Sequence, residues 1–184
     1  MVWASSGYPA DGYENYRDRI ISDVNKLASY AHVADGVLTI QYLLKDGIPY
    51  YLETMRRCLG NLHFNCISKD CGVDFYELYV ATEAGLDVSE TVSKMHLKND
   101  PDAPRSGFLG IYADRPGKIR SITLDPEFEK KVYYRKMLNG PGYVVEDYLF
   151  DKLGNVLFTV DSLKERDSFM AKRMELFRVE TENA

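Results

Sequence analysis

The sequence predicts an α+β protein: a helical first half, then an antiparallel sheet with two helices on one face, built as strand-strand-helix arranged twice. Three observations predict it. Apolar residues before residue 97 recur at three- and four-residue spacing between helix-cap signals. The segment 98–107, KNDPDAPRSG, carries two prolines and almost no apolar residue, the strongest boundary in the chain. Beyond it, β-branched and alternating runs are punctuated by Asp-x-x-Gly turns and capped helix starts. The expected organisation is an extended arm over 1–10, a helical half over 11–97, a linker over 98–107 and an antiparallel α+β half over 108–184. The two halves together remain within the size of one domain.

The arm contains Gly7 and Pro9, which exclude a helix there. Asp11 and Glu14 have capping-box spacing and open a helix with the stripe Tyr13, Tyr16, Ile20, Val24, Leu27 and Ala31. Arg17, Arg19, Asp23 and Lys26 fall off that stripe, on its solvated side. Val37 to Leu44 fits a buried strand or a short buried helix, and helices on both sides tip the expectation to helix. Pro49 at a first-turn position and the stripe Ile48, Tyr51, Leu52, Met55 and Leu59 predict a further helix closed by Gly60. The stretch NLHFNCISKDCG has no clear period and reads as a loop. Asp74 with Glu77 opens a helix ending at Gly85, and Asp87 with Glu90 opens a short one through Met95.

In the second half, Phe108 to Ala113 and Lys118 to Leu124 read as strands around an Asp114–Gly117 turn. Asp125 and Pro126 start a helix expected to run through Phe128, Val132 and Arg135 to Asn139-Gly140. Tyr143 to Phe150 and the alternating Val156, Phe158 and Val160 read as strands around an Asp151–Gly154 turn. Ser162 and Glu165 form a capping box for a last helix with the stripe Leu163, Met170, Met174 and Phe177. The two Asp-x-x-Gly units match locally, as a duplicated hairpin-plus-helix would, or as hairpins generally do.

Composition narrows the function classes. A net charge of −5 lacks the basic footprint that nucleic-acid binding needs. No apolar run reaches membrane-spanning length. The odd count of three cysteines and the absence of a secretory signal fit a reducing, cytoplasmic setting. No GxSxG, P-loop, GxGxxG, HExxH or EF-hand pattern is present, and the sequence offers no catalytic set.

What remains is interface chemistry. Fourteen tyrosines accompany a single tryptophan, and tyrosine suits half-wet surfaces. Trp3, Tyr8, Tyr13 and Tyr16 are candidates for partner binding. The leading expectation is therefore a non-enzymatic interaction or regulatory protein acting through tyrosine-rich surfaces, with a protein partner or a second copy, without cofactor, nucleic acid or membrane. The alternative is a small-molecule or cofactor-binding protein or enzyme with a pocket between sheet and helices, lined by Tyr112, Tyr133, Tyr134, Tyr143 and Tyr148. A second alternative is a metal-stabilised module using Cys58, His63, Cys66 and Cys71, whose thiolate and imidazole donors suit zinc. The missing Cys-x2-Cys pair and the helical placement expected for Cys58 favour a metal-free reading of that cluster.

Overall fold

The computed structural model describes residues 5–7, 12–33, 35–95 and 102–182. In chain order the elements are β1 (Ser5–Gly7), α1 (Arg17–Tyr30), β2 (Thr39–Lys45), β3 (Ile48–Met55), α2 (His63–Cys71), α3 (Phe75–Glu83) and α4 (Ser89–Ser93), then β4 (Arg105–Tyr112), β5 (Gly117–Leu124), α5 (Pro126–Glu129), β6 (Val132–Met137), β7 (Val144–Val145), β8 (Lys152–Val160), α6 (Leu163–Ala171) and β9 (Phe177–Glu182). The class is α+β with antiparallel sheets, as the sequence predicts. The chain divides into two compact units, residues 9–96 and residues 1–8 with 97–184.

In the first unit the expected second and third helices are instead one β-hairpin. β2 and β3 pair antiparallel from Thr39↔Met55 to Lys45↔Ile48. The reason is the turn. Asp46 and Gly47 both take positive φ, 50° and 74°, as a two-residue hairpin loop matching the strand twist requires. An Asp-Gly pair between β-branched and aromatic runs outweighs the three- and four-residue spacing of Ile48, Tyr51, Leu52 and Met55. A bulge between Gln41 and Tyr42 shifts the register.

The expected loop NLHFNCISKDCG contains α2, closed by Gly72 at φ 74°, whose N–H donates to the Ser68 carbonyl at 2.9 Å. Phe64, Ile67 and Cys71 have helical spacing once cysteine is counted as a small hydrophobe rather than as a ligand. Asp74 caps α3 as expected, accepting from the N–H groups of Tyr76 and Glu77 at 2.8 and 3.1 Å. The core of this unit is Val37, Phe64 and Leu78, with Phe75 stacked on Phe64 at a centroid distance of 5.3 Å. The expected Asp11 cap lies outside the described residues. α1 starts at Arg17, after a 3-10 turn over Tyr13–Asn15.

In the second unit, one four-stranded sheet has the order β1-β4-β8-β6 and a three-stranded sheet the order β7-β5-β9, all pairs antiparallel. β4 and β5 therefore do not form the expected hairpin, and neither Asp-x-x-Gly segment closes one. The second segment already enters β8 at Lys152, and β8 pairs with β4 from Arg105↔Val160 to Tyr112↔Lys152.

The helix expected from Asp125 to Asn139 stops at Glu129, and Val132–Met137 forms β6, paired with β8. Consecutive Val132, Tyr133 and Tyr134 favour the pleated backbone. The expected strand over 143–150 reduces to β7 and a turn in which the Asp151 carboxylate accepts from the N–H groups of Glu146 and Asp147. The last helix ends at Ala171 and not near Phe177, which opens β9 beside β5.

The core of this unit gathers Leu109, Ile111, Phe128, Leu153, Val156 and Phe158, each fully buried. α5 and α6 reach it through aromatic rings: Phe128 lies 5.1 Å from Phe158, and Phe169 lies 5.5 Å from Phe128.

Candidate functional site

α1 and the β2–β3 hairpin enclose a cleft of about 490 Å³. Asp23, Val24 and Leu27 come from α1, Ile40 from β2, and Tyr51, Leu52, Glu53 and Thr54 from β3. The walls are apolar, and the two carboxylates provide the negative charge.

Asp23 sits off the apolar stripe of α1, flanked by Arg19 at 3.9 Å and Lys26 at 3.5 Å. These partners are exposed and contribute little to folding, so the carboxylate retains oxygen lone pairs for a ligand. Glu53 has no hydrogen bond or ion pair among the described residues. Tyr51 lies beside both sites: burial, then the Asp23 charge, pushes its phenol up, with Arg19 opposing. Its ring lies 6.1 Å from that of Tyr42, whose phenol is raised by burial and by Tyr13. Both phenols therefore stay protonated at neutral pH and can donate. The cleft can thus offer hard oxygen ligands, the protonated phenol of Tyr51 and apolar walls to one ligand.

The sequence-derived candidates are distributed differently. Of the five tyrosines proposed to line a pocket, Tyr112 faces a cleft in the second unit, with its phenol raised by burial. Tyr133 and Tyr134 are exposed on β6, the sheet's edge strand, and Tyr148 is exposed in the turn after β7. Tyr143 packs against the core. The five do not share one pocket.

Cys58 follows β3 in an irregular segment rather than a helix, and its thiol donates to the Phe75 carbonyl at 3.6 Å. Burial, then Asp74, pushes that thiol up. Cys66 and Cys71 are buried on α2, where His63 is the first residue. Among the described residues no three His, Cys, Asp or Glu side chains converge as metal ligands. Trp3 and Tyr8 lie outside the described residues, Tyr13 is in the turn before α1, and Tyr16 is its N-cap residue.

Sequence reasoning missed Asp23 and Glu53. Asp23 reads as a solvated helix residue, and Glu53 acquires a position only when residues 48–55 are read as a strand.

No protein-family model matches the chain, and no curated protein matches it. Its fold, however, recurs in solved structures. An L-amino acid ligase from Bacillus licheniformis superposes with a TM-score of 0.80 at 20% identity, over 100% of this chain and 45% of that one. A phosphoribosylglycinamide synthetase from Anaerococcus prevotii gives 0.76 at 12% identity, over 97% and 45%. The biotin carboxylase domain of the Hydrogenobacter thermophilus 2-oxoglutarate carboxylase, in complex with MgADP, ADP and bicarbonate, gives 0.63 at 14% identity, over 97% and 39%. These are ATP-grasp-like domains.

The chain shares the fold of these structures and spans less than half of their length. The expectation of a non-enzymatic interaction or regulatory protein is corrected by this finding, because the proteins that share the fold are enzymes. The alternative, an enzyme that binds a small molecule or cofactor, agrees with it better. Among the described residues no helix is long and apolar enough to cross a membrane.

Proposed function

We propose that the chain is part of an ATP-grasp-like enzyme of the ligase or carboxylase type, and that the cleft between α1 and the β2–β3 hairpin contributes to holding a magnesium nucleotide. The observation that carries this reading is the fold, shared over the whole chain with a ligase and over 97% of it with a carboxylase domain that holds MgADP.

The donor set of the cleft fits a magnesium ion. Magnesium is commonly held by one or two carboxylates, with substrate phosphates and water completing its shell. Asp23 and Glu53 supply that number, and the lack of a third converging ligand among the described residues suits an ion that arrives with its nucleotide. Bound there, the ion would neutralise phosphate charge. Asp23 and Glu53 would orient it, Tyr51 would donate from its protonated phenol, and Val24, Leu27 and Ile40 would exclude water from the ligand's apolar part.

Calorimetric titration of the intact chain with ADP, with and without magnesium, tests this reading. Saturable binding that requires magnesium is expected. Absence of any magnesium-dependent ADP binding by the folded chain contradicts it.

A further inference from the structure

The second unit carries a cleft of different chemistry. It occupies about 500 Å³ between the end of β4, the start of β5 and β9. Its charged lining is three arginines, Arg115, Arg120 and Arg178, against two carboxylates, Asp114 and Glu180. A local excess of cations in a chain of net charge −5 runs against the composition.

The carboxylates do not cancel the arginines evenly. Glu180 pairs with Arg178 at 3.2 Å and also accepts from the Ser121 hydroxyl at 2.9 Å. Arg120 approaches Glu182 only at 4.0 Å, and Glu182 is shared with Lys118 at the same distance. Arg115 has no ion pair among the described residues. Its partners are neutral: Nε donates to the Thr181 hydroxyl at 2.9 Å and Nη2 to the Thr181 carbonyl at 3.4 Å.

Two bonds to one residue of β9 fix the plane of the Arg115 guanidinium, which retains further N–H donors and a full charge. A guanidinium oriented in advance and not neutralised is a receptor for an oxyanion, since its fork matches two oxygens of a phosphate. Tyr112 adds a protonated phenol to the same cleft, while Met174 and Phe177 give it an apolar side.

We infer that this cleft binds a small phosphate-bearing anion, with Arg115 as the fixed receptor and Arg120 and Arg178 closing on the ligand from exposed positions. The site is separate from the proposed magnesium-nucleotide cleft and needs no divalent ion.

Inorganic pyrophosphate, titrated into the intact chain in the presence of a chelator, is the direct probe. Saturable binding is expected, weakening as ionic strength rises because the arginines are exposed. Arg120→Gln alters an exposed side chain whose carboxylate contact is long and leaves folding intact. It should weaken pyrophosphate by roughly ten-fold, the loss of one charge-assisted contact. Arg115→Gln should weaken it further, with the melting temperature reporting whether the Thr181 contacts matter to folding. Glu53→Gln, in the other unit, should leave pyrophosphate binding unchanged. Absence of saturable binding, or equal binding by wild type and Arg120→Gln, overturns the site. Loss of pyrophosphate binding in Glu53→Gln also overturns it, and assigns the anion to the other cleft.

Discussion

Gly107 shows how one missing side chain sets local packing. It stands opposite Phe158 in the β4–β8 ladder, and a Cβ added there would overlap the Phe158 ring. Phe158 is fully buried and touches Phe128 and Phe169, so it has no free direction in which to move. Gly107→Ala should destabilise by about 1–3 kcal/mol, the usual cost of overpacking, and Phe158→Leu in the same chain should recover part of that loss. Urea denaturation of the single and double variants measures both effects.

Ser162 tests a smaller contribution. Its hydroxyl accepts from the Glu165 N–H at 3.2 Å, as the sequence predicts, but the Glu165 carboxylate accepts from the Asp161 N–H rather than from that of Ser162. Ser162→Ala should cost about 0.5–2 kcal/mol. Unchanged stability would mean that the Glu165–Asp161 contact alone suffices to start α6.

Lys152 gives a pH dependence. Its ammonium lies 4.8 Å from the Phe108 ring centroid, and burial holds its pKa below the usual 10.5. The folded state therefore releases this proton at lower pH than the unfolded state. Its contribution to stability rises as pH passes through the folded pKa and levels off above 10.5. Lys152→Met should flatten that part of the stability profile. An identical alkaline profile in the variant would show that the amine is adequately solvated.

At the scale of the element, legibility followed the caps. Asp74, Asp125 and Ser162 mark helix starts in the sequence and cap them in the structure, because an N-cap is a contact among neighbours three residues apart. Where helices end was harder to read. Phe128, Val132 and Arg135 have helical spacing, yet the backbone leaves the helix at Glu129 because β6 gains a ladder with β8, whose pairs run from Val132↔Phe158 to Met137↔Gly154, far beyond the reach of a helical turn. The hairpin of β2 and β3 was hidden for a related reason. Its strands show mixed faces, with Tyr51 and Leu52 adjacent and a bulge breaking the alternation, so a helical stripe could be drawn through them. The Asp46-Gly47 turn was the decisive signal. Gly47→Ala, which forces a Cβ into φ 74°, should lower the melting temperature, and the loss should be removed by restoring glycine but not by substituting serine. The Asp23–Glu53 cleft depends on this hairpin, so it was illegible for as long as the hairpin was.

At the scale of the whole molecule, residue type pointed to interfaces, whereas the topology is one shared with enzymes. Fourteen tyrosines suggested a surface for partners, yet six of the described ones divide among an edge strand (Tyr133, Tyr134), a turn (Tyr148), the core margin (Tyr143) and two different clefts (Tyr51, Tyr112). The shared fold leaves no short motif here that composition or spacing could reveal, since the proposed ligands sit on separate elements, α1 and β3. The chain also spans less than half the length of the structures that share its fold, and residues from elsewhere in such a fold would add to any nucleotide site.

The central claim is that Asp23 and Glu53 help to hold a magnesium nucleotide, and the affinity of Glu53→Gln for MgADP tests it most directly. Glu53 makes no hydrogen bond or ion pair among the described residues, so the amide should fold normally and retain the wild-type melting temperature. Loss of one hard carboxylate ligand should weaken MgADP by about ten-fold or more, while Arg120→Gln, in the other cleft, should leave it unchanged. Equal affinity of Glu53→Gln and the wild-type chain for MgADP, with both folded, would contradict the account.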